Sequence, residues 1–332
     1  MIKVAINGFG RIGRMTFRKL FGNNEVEIVA LNDLSTPEML AYLLKYDSVH
    51  GVFPNRVSST EKSLTVDGKE VAVYAERNPE NLPWKELDID VVLECTGIFE
   101  SKDKAALHLK AGAKKVIISA PSDKDVKTIV YNVNHQLLNK EDVLISAASC
   151  TTNCLAPMAQ VLNDRFGIIT GQMNTIHAYT NSQPLMDTPD PKNGFRKSRA
   201  AADSIIPYTT GAAKAIGLVI PELNGKLDGA SQRVPVHSGS VVELYTLLNK
   251  TTSEQEINEV MKAAANESYG YNEDPIVSQD IIGMSYGSLF DATQTKITGI
   301  GDKQLLKTVS WYDNEMSFVS QLTRLLICFG NI

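Results

Sequence analysis

The chain has few of the features that would set it apart from an ordinary globular protein. Its 332 residues hold only four cysteines, too few for a disulfide framework, and a reducing compartment is expected. No apolar run approaches the roughly 18 residues that a membrane span requires. Met1-Ile2-Lys3 runs straight into the strand-like Val4-Ala5-Ile6, without the apolar stretch and cleavage site of a secretory signal. Cytoplasm is the expected location. Neither charge sign dominates: 33 basic and 38 acidic residues leave a net charge of -5, which argues against nucleic acid as the main partner. There is no repeat at a fixed period and no low-complexity tract. What remains is a globular composition, 43% hydrophobic and 21% charged, in a chain long enough for two domains. Folding at that length buries about 75% of the chain surface, so stability needs no disulfide or metal.

Residues 1–149 read as alternating strands and helices. Segments 3–7, 27–31, 90–94 and 115–119 are short apolar runs. Between the first two, Ile12, Thr16, Phe17 and Leu20 share one helical face, and Ser101 can cap a helix over Lys102–Lys110 that stops at Gly112. Apolar strands separated by helices predict a doubly wound, Rossmann-type α/β domain whose parallel sheet is covered on both faces. From residue 150 the rhythm changes. A helix over 150–165 precedes long strand-like segments at 168–179, 231–236, 241–248, 295–300 and 305–312. Ser253-Glu254-Gln255-Glu256 is a capping box for a helix reaching about Ser268. Residues 150–314 are therefore expected to form an α+β domain with a mostly antiparallel sheet. Residues 315–332 read as a helix packing back on the first domain, with Phe318, Leu322, Leu325 and Leu326 as its stripe. Loop 181–199 carries Pro184, Pro189 and Pro191; a loop that long is expected to be functional or interfacial.

Gly8-Phe9-Gly10-Arg11-Ile12-Gly13 lies between the first strand and the first helix, where a dinucleotide site needs it. Gly8 permits the tight turn, Gly10 lets the backbone approach a pyrophosphate, and Gly13 lets helix pack on strand. The free N–H groups of the helix then face the phosphates. Asp33 closes the next strand, where a carboxylate accepts from both ribose hydroxyls and repels a 2′-phosphate, favouring NAD over NADP.

The second constellation is Ser149-Cys150-Thr151-Thr152-Asn153-Cys154 at the start of a helical run. A first-turn cysteine is stabilised as thiolate by the helix dipole. A zinc site from Cys150 and Cys154 lacks further ligands nearby, so no metal is expected. His177, in a strand-like segment, is the partner base. A Cys/His protease would leave the dinucleotide turn unexplained. A thiolate beside a nicotinamide instead attacks an aldehyde, and the hemithioacetal gives up hydride to leave a thioester. His177 would pair ionically with Cys150 and then accept the hemithioacetal proton, while the Cys150 N–H holds the oxyanion. His50, His108, His135 and His237 have no such context and read as surface or core residues.

These motifs, together with Ile176-His177-Ala178-Tyr179-Thr180, Gly211-Ala212-Ala213-Lys214-Ala215, Arg233-Val234-Pro235-Val236 and Trp311-Tyr312-Asp313-Asn314-Glu315, occur in one order. In that order the chain resembles the phosphorylating glyceraldehyde-3-phosphate dehydrogenases from end to end. The resemblance implies Cys150 as nucleophile and His177 as base. It implies NAD contacts at Asn7, Gly8, Gly10, Arg11, Ile12, Gly13, Asp33, Arg77, Thr96, Gly97, Ser119 and Asn314. It also implies a substrate-phosphate site at Thr180 and Arg233, and an inorganic-phosphate site at Ser149, Thr151, Thr210 and Gly211. Hydroxyls, backbone N–H groups and a guanidinium suit two such oxyanions. The substrates implied are glyceraldehyde 3-phosphate and inorganic phosphate, in glycolysis. Loop 181–199 corresponds to the S-loop, which lies beside a neighbouring subunit's cofactor in a homotetramer. Two positions depart from the pattern: Lys197 stands where bacterial members commonly carry a second arginine, and Phe318 where tyrosine is frequent. Oxidation of erythrose 4-phosphate, a binding or adhesin role without catalysis, and thiol redox sensing at Cys150 are the competing readings.

Overall fold

The computed structural model describes residues 1–189, 194–301 and 303–332. The unaligned stretch 190–193 of the proline-rich loop lies outside them. The described chain divides into two compact units. One comprises Met1–Tyr131, His135–Ser149 and Val319–Ile332, and the other Asn132–Asn134 and Cys150–Phe318.

In the first unit a nine-stranded sheet, counted among the described residues, is parallel from Lys127–Thr128 at one edge to Lys69–Tyr74. Ser63–Val66 and Val57–Ser59 then extend it antiparallel. The central strand Ile2–Asn7 is bordered by Val26–Asn32 on one side and Val91–Glu94 on the other. The chain order reverses there, and such a switch point opens a crevice at the carboxyl ends of the strands. Val91–Glu94 is buried along its whole length, as a strand covered on both faces must be. Trp84, Val92, Ala105, Val116 and Ile118 belong to the core on one side of it. The helix Lys102–Lys110 starts after Ser101 as expected, although the Ser101 side chain makes no capping bond. The helix Met316–Gly330 buries Phe318, Leu322, Leu325 and Leu326. Lys115 reaches the Phe329 carbonyl at 2.7 Å, and Gln321 the Tyr131 carbonyl at 3.2 Å.

The second unit holds an eight-stranded sheet among the described residues, in which five of the seven strand pairings are antiparallel. The long strand Ile168–Ala178 lies between Leu227–Val234, parallel to it, and Ser240–Leu248, antiparallel to it. Val242, Leu244 and Thr246 face the core while their neighbours are partly exposed. The helix Cys150–Phe166 packs across this sheet and against the helix Ala212–Val219. Two expected boundaries change. The strand expected from residue 231 begins at Leu227 and stops at Val234, before Pro235. Its first turns contain Asp228 and Gly229, poor strand formers, but a Cβ on Gly229 would lie 2.5 Å from Met173, so the strand needs glycine there. The helix expected to reach Ser268 is Glu254–Ala263. Asn266 ends it by accepting from the Ser268 and Tyr269 N–H groups, which turns the chain into the strand Tyr269–Asn272. Its start is as read: the Ser253 hydroxyl accepts from Glu256 N–H at 3.1 Å.

Candidate active site

The dinucleotide turn is assembled at the switch point. Gly8 has φ +92, and a Cβ there would stand 2.7 Å from the Thr96 nitrogen. At Gly13 a Cβ would stand 2.1 Å from the Gly8 carbonyl oxygen, so the helix Arg11–Leu20 can approach the strand only through glycine. Gly10 differs: a Cβ there meets nothing within 4 Å. It borders open space at the helix N-terminus, the surroundings of a turn shaped for a phosphate rather than for its own packing. Asp33 braces this turn, accepting from Phe9 N–H at 2.8 Å and from Ser35 N–H at 3.0 Å. The Arg11 guanidinium is committed to Asp47, a partner the sequence did not reveal. Burial alone would raise the Asp47 carboxyl, but its bonds to Arg11 and to the His50 and Val49 N–H groups hold it at about 2. Thr96 and Gly97 turn at the end of the neighbouring strand, and Ser119 N–H donates to the Glu94 carbonyl at 3.0 Å. Arg77 is exposed, and Asn32 fixes the adjoining Glu76 backbone through two bonds of 2.9 Å.

In the second unit Cys150 opens its helix and His177 is the next-to-last residue of the strand Ile168–Ala178. The Cys150 sulfur stands 3.5 Å from His177 Nε2. Register explains the other neighbour: His177 is paired directly with Arg233 across parallel strands. His177 Nδ1 lies 2.6 Å from the Ala178 carbonyl and 3.0 Å from the Arg233 guanidinium. The Ala178 carbonyl can only accept, and it takes the Arg233 N–H as well at 3.0 Å, so the shorter 2.6 Å contact assigns the proton to Nδ1 and leaves a bare Nε2 facing the sulfur. Burial and the Arg233 charge push the His177 imidazole down to about 3, against the Ala178 bond. Burial pushes the Cys150 thiol up, while Arg233, the Thr151 hydroxyl and the first-turn N–H groups draw it down. Burial thus weighs against charge on either member of the expected ion pair, while a proton passing from Sγ to Nε2 would leave two charges attracting across 3.5 Å. That attraction is about 5 kcal/mol for unit charges at this spacing and an effective dielectric of 20. Tyr312, which the sequence did not single out, orders the site: its fully buried hydroxyl bonds Thr151 at 2.9 Å and Thr175 at 2.8 Å.

Thr180 and Arg233 are brought together, the guanidinium 3.4 Å from the Thr180 hydroxyl. Arg233 Nε is buried without a partner, a donor suited to an anion. Thr210 accepts from Ala212 N–H at 3.1 Å, just before Gly211, which is the N-cap of the helix Ala212–Val219. Asn314 has its amide oxygen fixed by Ser240 at 3.0 Å, which leaves its amide nitrogen as the available donor. Cys154 is buried and bonded to Ser288. Among the described residues no cluster of three or more His, Cys, Asp or Glu is placed to hold a metal.

Residues 2–102 match the family model for the glyceraldehyde 3-phosphate dehydrogenase NAD binding domain, and residues 149–314 that for the C-terminal domain. The chain is 61% identical over 332 residues to the glyceraldehyde-3-phosphate dehydrogenase of Clostridium pasteurianum, covering all of this chain and 99% of that one. It is 57% identical to those of Lactobacillus delbrueckii subsp. bulgaricus and Streptococcus pyogenes, at the same coverage. The chain belongs to the glyceraldehyde-3-phosphate dehydrogenase family. Against that family's pattern, Lys197 places its ammonium over the Tyr208 ring at 4.3 Å, and the Arg233 guanidinium lies 4.9 Å from the same ring. Lys197 thus keeps a cation on the same ring as Arg233 without an arginine's fork. Phe318 is buried.

Proposed function

We propose that this protein is a phosphorylating, NAD-dependent glyceraldehyde-3-phosphate dehydrogenase of glycolysis, with residues 1–149 as the NAD-binding domain and 150–314 as the catalytic domain. The observation that carries the reading is the bare His177 Nε2, 3.5 Å from the Cys150 sulfur, with Nδ1 held by Ala178. His177 takes the thiol proton as sulfur attacks the aldehyde carbon. The Cys150 and Thr151 N–H groups, at a helix N-terminus, face the oxygen that becomes negative. His177 returns that proton to the oxygen as the hemithioacetal forms and takes it back as the carbon releases hydride. NAD, when bound, supplies the hydride acceptor, and the open space at Gly10 braced by Asp33 fits its phosphates and ribose. The product on Cys150 is a thioester. Inorganic phosphate, held by Ser149, Thr151, Thr210 and Gly211, attacks it to form the acyl phosphate and return the thiol. Arg233 and Thr180 hold the substrate's own phosphate throughout. Exposed Leu185, Met186 and Phe195 of the proline-rich loop support a homotetramer, and four free cysteines suit the cytoplasm.

The deciding measurement is NADH formation with phosphate varied. The expected result is one equivalent of NADH per subunit without phosphate and continuous turnover with it. Sustained turnover without phosphate overturns the phosphorylating mechanism. A larger kcat/KM for erythrose 4-phosphate than for glyceraldehyde 3-phosphate overturns the substrate.

A further inference from the structure

Beneath the dinucleotide turn lies a buried polar chain that the steps above leave unused. Glu94 ends the strand Val91–Glu94 and is 2% exposed. Its Oε2 lies 2.5 Å from Asn7 Nδ2 and 3.0 Å from His108 Nε2. Its Oε1 accepts from Thr96 N–H at 2.7 Å and from the Thr96 hydroxyl. His108 is fully buried, and its Nδ1 lies 3.0 Å from the Trp84 indole nitrogen. An indole N–H can only donate, so Nδ1 accepts and the histidine proton sits on Nε2, pointing at Glu94. His108 is therefore neutral. The Glu94 carboxylate is balanced by four donors rather than by a cation, which is the condition under which a buried anion is tolerated.

The four donors tie separate segments together. Asn7 precedes Gly8, whose own approach to the Thr96 nitrogen leaves no space for a side chain. Asn7 Oδ1 accepts from Asn32 Nδ2 at 2.7 Å, and Asn32 holds the Glu76 backbone beside Arg77. We propose that Glu94, oriented by neutral His108, is a positioning residue for the coenzyme: it locks the Asn7–Gly8, Thr96–Gly97 and Glu76–Arg77 segments into one rigid receptor for the dinucleotide. The proposal rests on the coenzyme reading above and makes Glu94 and His108 determinants of NAD affinity without contact to the reacting atoms.

Glu94→Gln keeps the shape but replaces one acceptor by a donor that faces donors. Calorimetric titration of the wild-type protein with NAD comes first; failure to bind there overturns the coenzyme reading itself. With wild-type binding in hand, Glu94→Gln is expected to raise the NAD Kd about tenfold or more, the usual scale for one misplaced buried hydrogen bond. The KM for the aldehyde, and kcat at saturating NAD, are expected to stay within about threefold, well below one such bond. His108→Leu, which loses both bonds, is expected to act likewise. His108→Gln, whose amide can donate to Glu94 and accept from Trp84, restores affinity. The His108 pair carries the test if Glu94→Gln does not fold. An NAD Kd within twofold of wild type in His108→Leu overturns the proposal, as does a parallel fall of kcat and NAD affinity in all three variants.

Discussion

At the scale of single residues, His177 serves two masters. Its Nδ1 is held by the Ala178 carbonyl so that Nε2 faces sulfur, and both burial and Arg233 keep it unprotonated until sulfur gives up its proton. Replacing it removes the imidazole nitrogen that faces the sulfur at 3.5 Å. His177→Asn is expected to raise the Cys150 thiol above its position in the wild-type protein. The pH midpoint of iodoacetamide alkylation measures this, and an unchanged midpoint contradicts the coupling. Cys150→Ser is expected to abolish turnover while leaving NAD affinity within about twofold, because alcohol oxygen is far less nucleophilic than thiolate. Asp47 yields a prediction of known sign. Its carboxyl is held at about 2, below the ordinary aspartate value of 3.8, so its stabilising contribution is fully present above pH 4 and is lost as pH falls toward 2. Asp47→Asn is expected to cost about 2 kcal/mol near pH 7 and much less near pH 2, read by chemical denaturation at both values.

At the scale of elements, the two glycines of the turn separate binding from folding. Gly13→Ala would force a Cβ to 2.1 Å from the Gly8 oxygen and is expected to lower both Tm and NAD affinity. Gly10→Ala meets nothing and is expected to weaken NAD binding about tenfold while costing at most about 1 kcal/mol of stability. Equal effects on Tm contradict this assignment. The same turn was legible in sequence because its glycines, strand and acid have fixed spacing. The parallel core strands were legible because they are apolar throughout. The strands Val57–Ser59, Ser63–Val66 and Lys69–Tyr74 gave no such signal, since they are only three to six residues long and mix apolar with polar or charged residues. Leu227–Val234 hid its start behind Asp228 and Gly229. Cys150 and His177 were legible from local context, whereas Glu94, Asp47, Tyr312 and His108 act through partners distant in sequence. His108, read as a surface or core residue, is core, but no local pattern announces that its neighbours are Glu94 and Trp84.

For the whole molecule, assembly is the property most open to measurement. Phe195 is 97% exposed, a cost that a subunit contact would remove at about 25 cal/mol per Å² of apolar surface. If the proposed homotetramer forms, Phe195→Asp is expected to reduce the sedimenting mass relative to wild type, and an unchanged mass contradicts a role for this loop in assembly. The pairing of His177 with Arg233 in adjacent strands has a last consequence. An incoming dianion that neutralises the guanidinium also lifts the repulsion weighing on the imidazole. On the proposed reading, cargo arrival thereby strengthens His177 as a proton acceptor, an interlock between the anion site and the sulfur.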